Sequence, residues 1–103
     1  MELFSNTFGA SNTADLQSLI SDGAFLADVR TPVEFAEGHV KGSVNIPLDK
    51  VVGQLAAFKN KKHIIVFCHS GNRSGQAKEI LEKNGFANIT NGGSWTNVNQ
   101  FVK

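Results

Sequence analysis

Six consecutive residues, His63-Ile64-Ile65-Val66-Phe67-Cys68, constrain the chain more than any other segment. The run is apolar almost throughout, β-branched at its centre, and too short for a buried helix. A strand with no polar alternation must be covered on both faces, which is the condition of a central strand in a parallel sheet. Weaker runs of the same kind precede and follow it. Ala24 to Val29 ends with an aspartate near its close, Ser43 to Ile46 is closed by Pro47, and Phe86 to Thr90 follows a glycine.

Helical signals separate these runs. From Asn12 to Asp22, Leu16, Leu19 and Ile20 share one face, Asn12 can cap the start, and Gly23 follows the last turn. Pro32 suits the first turn of a second helix, with Glu34 early and Gly38 as its stop. Leu48, Val51, Val52 and Leu55 have helical spacing and predict a third. Ser74 to Asn84 places Ala77, Ile80 and Leu81 inward with Gly85 at its end, and a closing helix is expected from Ser94. Strand–helix alternation with uniformly apolar strands gives the α/β class: an open parallel sheet of four or five strands with helices on both faces. Residues 1–11 are set apart as an N-terminal segment in which Leu3 to Phe8 is a candidate edge strand. Residues 12–103 are expected to form the domain.

At 103 residues the chain has room for one domain, and 41% hydrophobic with 18% charged residues is ordinary for a folded one. Eight Phe and one Trp provide large groups to bury, which argues against disorder. Ten basic and nine acidic residues leave a net charge of +1, so neither nucleic acid nor an anionic membrane is an expected partner. No apolar run approaches the ~20 residues that span a bilayer, and Met1-Glu2-Leu3-Phe4 has no signal-peptide character. A cytoplasmic monomer is the default expectation. One cysteine excludes an internal disulfide, and with three histidines at scattered positions it forms no zinc-ligand pattern.

Ligands of open parallel sheets bind at the carboxyl ends of the strands. At the end of the strongest strand stands Cys68-His69-Ser70-Gly71-Asn72-Arg73, followed directly by a helix. Small, turn-tolerant residues allow successive backbone N–H groups to curl inward, and the helix adds its own free N–H groups and dipole. A cysteine at that focus is expected to have a lowered pKa and to act as a nucleophile, with Arg73 lowering it further. The plainer alternative is a buried cysteine closing a strand. The glycine, the arginine and the strand-to-helix position together favour the reactive site.

CHSGNRSG, from Cys68 to Gly75, resembles the active-site loop of rhodanese-family sulfurtransferases. LADVRTPVEFAEGHVKGSVNIPL, from Leu26 to Leu48, is similar to the family's other signature, in which D-x-R precedes E-F and then G-H-x-x-G-[AS]-x-N-I-P. Gly92-Gly93 with Trp95 resembles the family's G-G-x-x-x-W close, although the Trp arrives early. The resemblance implies that Cys68 takes sulfane sulfur from a small anion such as thiosulfate as a persulfide and passes it to cyanide, a thiol or a protein acceptor. With no second cysteine, resolution must come from outside the chain. No metal or organic cofactor is implied.

Cys68 is therefore the expected catalytic residue. Arg73, His69, Ser70, Gly71, Asn72, Ser74 and Arg30 form the expected substrate-binding set, mainly through backbone N–H groups at Ser70 through Asn72. Arg73 has two candidate roles, orienting an anionic donor or bracing the loop through a carboxylate. Arg30 is expected near the pocket, and Asp28 as structural support, foremost as a structural ion pair. Glu34, Phe35 and His39 are expected to fix the helix and the turn after it. A cysteine-dependent phosphatase or arsenate reductase is the rival enzymatic reading, but its loop has one residue more than the four between Cys68 and Arg73. A non-catalytic rhodanese-like binding module is the third reading, disfavoured by the retained cysteine.

Overall fold

All but the first residue of the HIIVFC run form a strand whose every residue is buried, in a computed structural model that describes residues 16–103. This strand, β3 (Ile64–Cys68), lies between β1 (Phe25–Asp28) and β4 (Ile89–Ser94), and β2 (Val44–Asn45) pairs on the far side of β1. The order is β2-β1-β3-β4 and all three pairings are parallel. In register, Ala27 stands beside Val66, and Val66 beside Asn91.

Helices cover both faces, as the uninterrupted apolarity of β3 requires. Ile64, Val66 and Cys68 point to one side, into a cluster with Ala27, Val29, Ile46, Phe58, Ala77 and Leu81. That side is covered by α3 (Asn72–Lys83) and by two 3₁₀ segments, Leu48–Lys50 and Val52–Phe58. Ile65 and Phe67 point the other way, against Leu16, Val40 and Val98. There the cover comes from α1, whose described part is residues 16–21, and α4 (Trp95–Asn99). Complete burial of a side chain the size of Phe67 contributes roughly 1.5–3 kcal/mol, so the central strand anchors both halves of the core.

A short helix, α2 (Pro32–Ala36), follows β1. Its capping box is complete: Thr31 Oγ1 accepts from Glu34 N–H at 3.2 Å, and Thr31 N–H donates to Glu34 Oε1 at 3.0 Å. This fixes Glu34 beside the sheet's carboxyl end. Asn12, the candidate cap of α1, and the candidate edge strand from Leu3 to Phe8 lie outside the described residues.

Two expectations are corrected. The third helix is not α-helical: Val51 and Val52 are β-branched, Gly53 follows, and Gln54 (φ −128°, ψ 34°) breaks the turn, leaving 3₁₀ geometry. The last strand is not Phe86 to Thr90 but Ile89–Ser94, running through Gly92-Gly93. A bulge allows this. Val66 pairs with Asn91 and Phe67 with Gly93, so Gly92 is the extra residue. A Cβ at Gly92 would come within 2.7 Å of Val98 Cγ2, so only glycine fits there. Among the described residues no helix is long and apolar enough to cross a membrane.

Candidate active site

Cys68 is the last residue of β3, and the chain turns through His69, Ser70 and Gly71 into α3. Gly71 is the N-cap of that helix with φ +101°, a left-handed conformation that favours glycine, and no side chain caps the helix. A Cβ there would also lie 3.4 Å from Gly93 Cα. The uncapped N–H groups are therefore left to the sulfur. Gly71 N–H donates to Cys68 Sγ at 3.0 Å and Ser74 N–H at 3.4 Å.

Burial pushes the Cys68 thiol up, since a charged sulfur loses its water. The Ser74 hydroxyl and the N–H groups of Ser74, Gly71 and Ser70 outweigh that penalty, and the thiol pKa lies below its ordinary value. The result is a buried cysteine inclined to ionise.

Ser74 Oγ is 3.4 Å from Cys68 Sγ and donates to Asn91 Oδ1 at 2.7 Å. Asn91 Oδ1 also accepts from Gly93 N–H at 3.0 Å, while its Nδ2 donates to the Gly71 carbonyl at 3.1 Å. Asn91 thus joins β4 to the Cys68 loop. It was absent from the candidate set because the last strand was expected to end before it. Continuing the strand's alternation by two residues from buried Ile89 would have pointed a polar side chain inward, where it needs partners.

The two expected arginines are placed differently. Arg73 Nη1 donates to Glu34 Oε1 at 2.7 Å and Nη2 to Glu34 Oε2 at 3.1 Å, tying α3 to α2. This pair is about one-third exposed on each side, 32% and 31%. The Arg73 hydrogen bond, then Thr31 N–H, hold Glu34 down to about 2, and Glu34 raises the Arg73 pKa in turn. Arg30 lies beneath, 3% exposed. Its Nε reaches both Asp28 oxygens at 3.0 Å, and its Nη2 donates to Asp28 Oδ2 at 2.8 Å and to the Gly38 carbonyl at 2.7 Å. The guanidinium also lies 4.7 Å from the Trp95 ring centroid. Arg30 is thus near the site but already enclosed and bonded.

His69 and Ser70 are exposed at the mouth of the loop. Asn72 is exposed too, its side-chain oxygen accepting from Gln76 Nε2 at 3.2 Å. His39 stacks on Phe35, centroids 3.8 Å apart, and donates through Nδ1 to the Phe35 carbonyl at 2.9 Å. Among the described residues no three His, Cys, Asp or Glu side chains are grouped to hold a metal.

The rhodanese-like domain model matches residues 12–99. The thiosulfate sulfurtransferase PspE of Escherichia coli is 38% identical over 73 residues, covering 69% of this chain and 70% of that protein. The thiosulfate sulfurtransferase GlpE of Pseudomonas aeruginosa is 32% identical over 85 residues, covering 82% and 77%. Among related proteins the share of length that this chain spans differs widely, 36% in one Bacillus subtilis protein. A solved rhodanese with anions from Escherichia coli superposes with a TM-score of 0.66 at 36% identity, over 73% of this chain and 91% of that one. With the fold, the Cys68 loop and a family match that runs over most of its length, this chain belongs to the rhodanese-like domain family.

Proposed function

We propose that this chain, a sulfurtransferase of the rhodanese-like family, carries sulfur as a persulfide on Cys68, taking it from thiosulfate or a related anionic donor. The observation that carries this reading is the convergence of Gly71 and Ser74 N–H groups on a buried sulfur whose pKa is lowered. Two relatives named as thiosulfate sulfurtransferases support the same chemistry.

In the loading step the Cys68 thiolate attacks the outer sulfur of thiosulfate. An S–S bond forms to Cys68, the donor's own S–S bond breaks, and sulfite leaves with its electron pair. The new terminal sulfur carries the negative charge, and the N–H groups of Ser70, Gly71 and Ser74, which face Cys68, offset it. In the discharge step cyanide or a thiolate attacks that terminal sulfur, and the bonding pair returns to Cys68 Sγ. Because Cys68 has no partner cysteine in the chain, the acceptor is external. A reducing compartment, the cytoplasm, suits a thiol that must stay free between turnovers.

Arg73 adds positive charge at the rim for an anionic donor and braces the loop through Glu34. Loop length weighs against the phosphatase reading: four residues separate Cys68 from Arg73, one fewer than such a loop carries. Thiocyanate release from thiosulfate and cyanide tests the function. Wild type is expected to turn over and Cys68→Ser to be inactive while folded. Full activity in Cys68→Ser would overturn the proposal, as would hydrolysis of aryl phosphates without sulfur transfer.

A further inference from the structure

Ser74 Oγ lies within reach of both Asn91 Oδ1, at 2.7 Å, and Cys68 Sγ, at 3.4 Å, and one hydroxyl has one hydrogen to give. The Asn91 amide has a single assignment. Its oxygen receives Gly93 N–H and its nitrogen donates to the Gly71 carbonyl, so a flip would break both bonds. Asn91 Oδ1 can only accept, hence Ser74 donates to it and presents its lone pairs to the sulfur. That arrangement suits a neutral Cys68, whose S–H can donate to Ser74 Oγ. It is wrong for a thiolate, which needs the hydroxyl's hydrogen.

We propose that Ser74 and Asn91 form a hydroxyl switch that follows the charge on Cys68 Sγ, with Asn91 as the acceptor that holds the hydroxyl whenever that sulfur is neutral. The switch rests on the persulfide reading. In the persulfide the charge is on the outer sulfur and Sγ is neutral, so the hydroxyl rests on Asn91. When the acceptor attacks the outer sulfur, the S–S pair moves onto Sγ and the hydroxyl turns to it. The new hydrogen bond strengthens as the leaving group gains charge, so it favours the transition state over the persulfide. Turning leaves no orphaned group, because Gly93 N–H still satisfies Asn91 Oδ1. The bulge at Gly92 brings that N–H to the amide. Asn91 is therefore a positioning residue, acting on Cys68 through Ser74.

The test is a double-mutant cycle read as the Cys68 thiol pKa. With one Cys and no Tyr in the chain, the rise of thiolate absorbance with pH reports Cys68 without interference from tyrosinate. Arg73, the cation that senses the Cys68 thiolate, stays in place in every variant. Ser74→Ala raises the thiol pKa, having lost a donor to the thiolate. Asn91→Leu removes the acceptor that competes for the hydroxyl. Its shift is lower by about half to one unit with Ser74 present than in the Ser74→Ala background. Equal shifts in the two backgrounds, or a coupling of opposite sign, overturn the switch. If Asn91→Leu does not fold, Asn91→Asp replaces it. A stronger acceptor holds the hydroxyl more firmly, so its upward shift is larger with Ser74 present than without, and equal shifts again overturn the proposal. The titration needs no sulfur donor. Absent coupling in a protein that still makes thiocyanate removes the switch alone, and coupling in a protein that makes none removes the carrier reading instead.

Discussion

Two bidentate arginine–carboxylate pairs stand at the Cys68 loop in opposite settings. Asp28 and Arg30 are side chains two residues apart at the end of β1, at most 4% exposed, with Gly38 and Trp95 closing over the guanidinium. Glu34 and Arg73 are 39 residues apart, join two helices, and remain about one-third exposed. Bidentate contact is therefore no guide to function by itself. Burial decides it. A pair removed from water is a fixed strut, expensive to break because one charge is left alone in the core. A pair at the rim keeps a hydrated charge that can serve a ligand and adds little to stability.

Breaking the buried pair gives the largest effect. Arg30→Met strands the Asp28 carboxylate and is expected to cost ~3–5 kcal/mol, lowering the unfolding midpoint by more than about 10 °C in a domain of this size. The double variant Asp28→Leu with Arg30→Met recovers part of that loss, since no lone charge remains. Thermal unfolding of the three proteins checks this, and a donor KM raised in Arg30→Met without a stability loss would place Arg30 at the donor instead.

Arg73→Ala is expected to behave in the reverse way. The donor KM rises several-fold while stability falls by no more than about 1 kcal/mol. An unchanged KM would reduce Arg73 to a brace. Cutting the same pair with acid is the mildest perturbation. Glu34 has a folded pKa of about 2 against an ordinary 4.5, so its contribution is fully present above 4.5 and fades as pH falls toward 2. The stability difference between wild type and Glu34→Gln should be constant from neutral pH down to about 4.5 and shrink below it. A difference that instead grew on acidification would contradict the pairing.

How far these features were legible follows from the range of the interactions that fix them. The central strand was evident because burial on both faces leaves an unbroken apolar run at Ile64 to Phe67, a purely local signature. The Cys68 loop was evident for a related reason: a cysteine, a glycine and an arginine fall within six residues, and a helix begins at once. The partner of Arg73 was not evident, because Glu34 acquires its place through the Thr31 cap and a sheet crossover. Leu48 to Leu55 misled because helical spacing says nothing of a backbone kink at Gln54. Asn91 was missed because Gly92-Gly93 signals a strand end by propensity, and only packing against Val98 and Ile65 shows why a glycine bulge continues it.

Intact mass reads sulfur on Cys68 without the help of an acceptor. After incubation with thiosulfate and removal of excess donor, wild type is expected to gain one sulfur atom, about 32 Da, and to lose it on adding cyanide. Cys68→Ser should show no gain. A wild-type protein that takes up no sulfur, or a Cys68→Ser variant that takes up as much, would contradict the account.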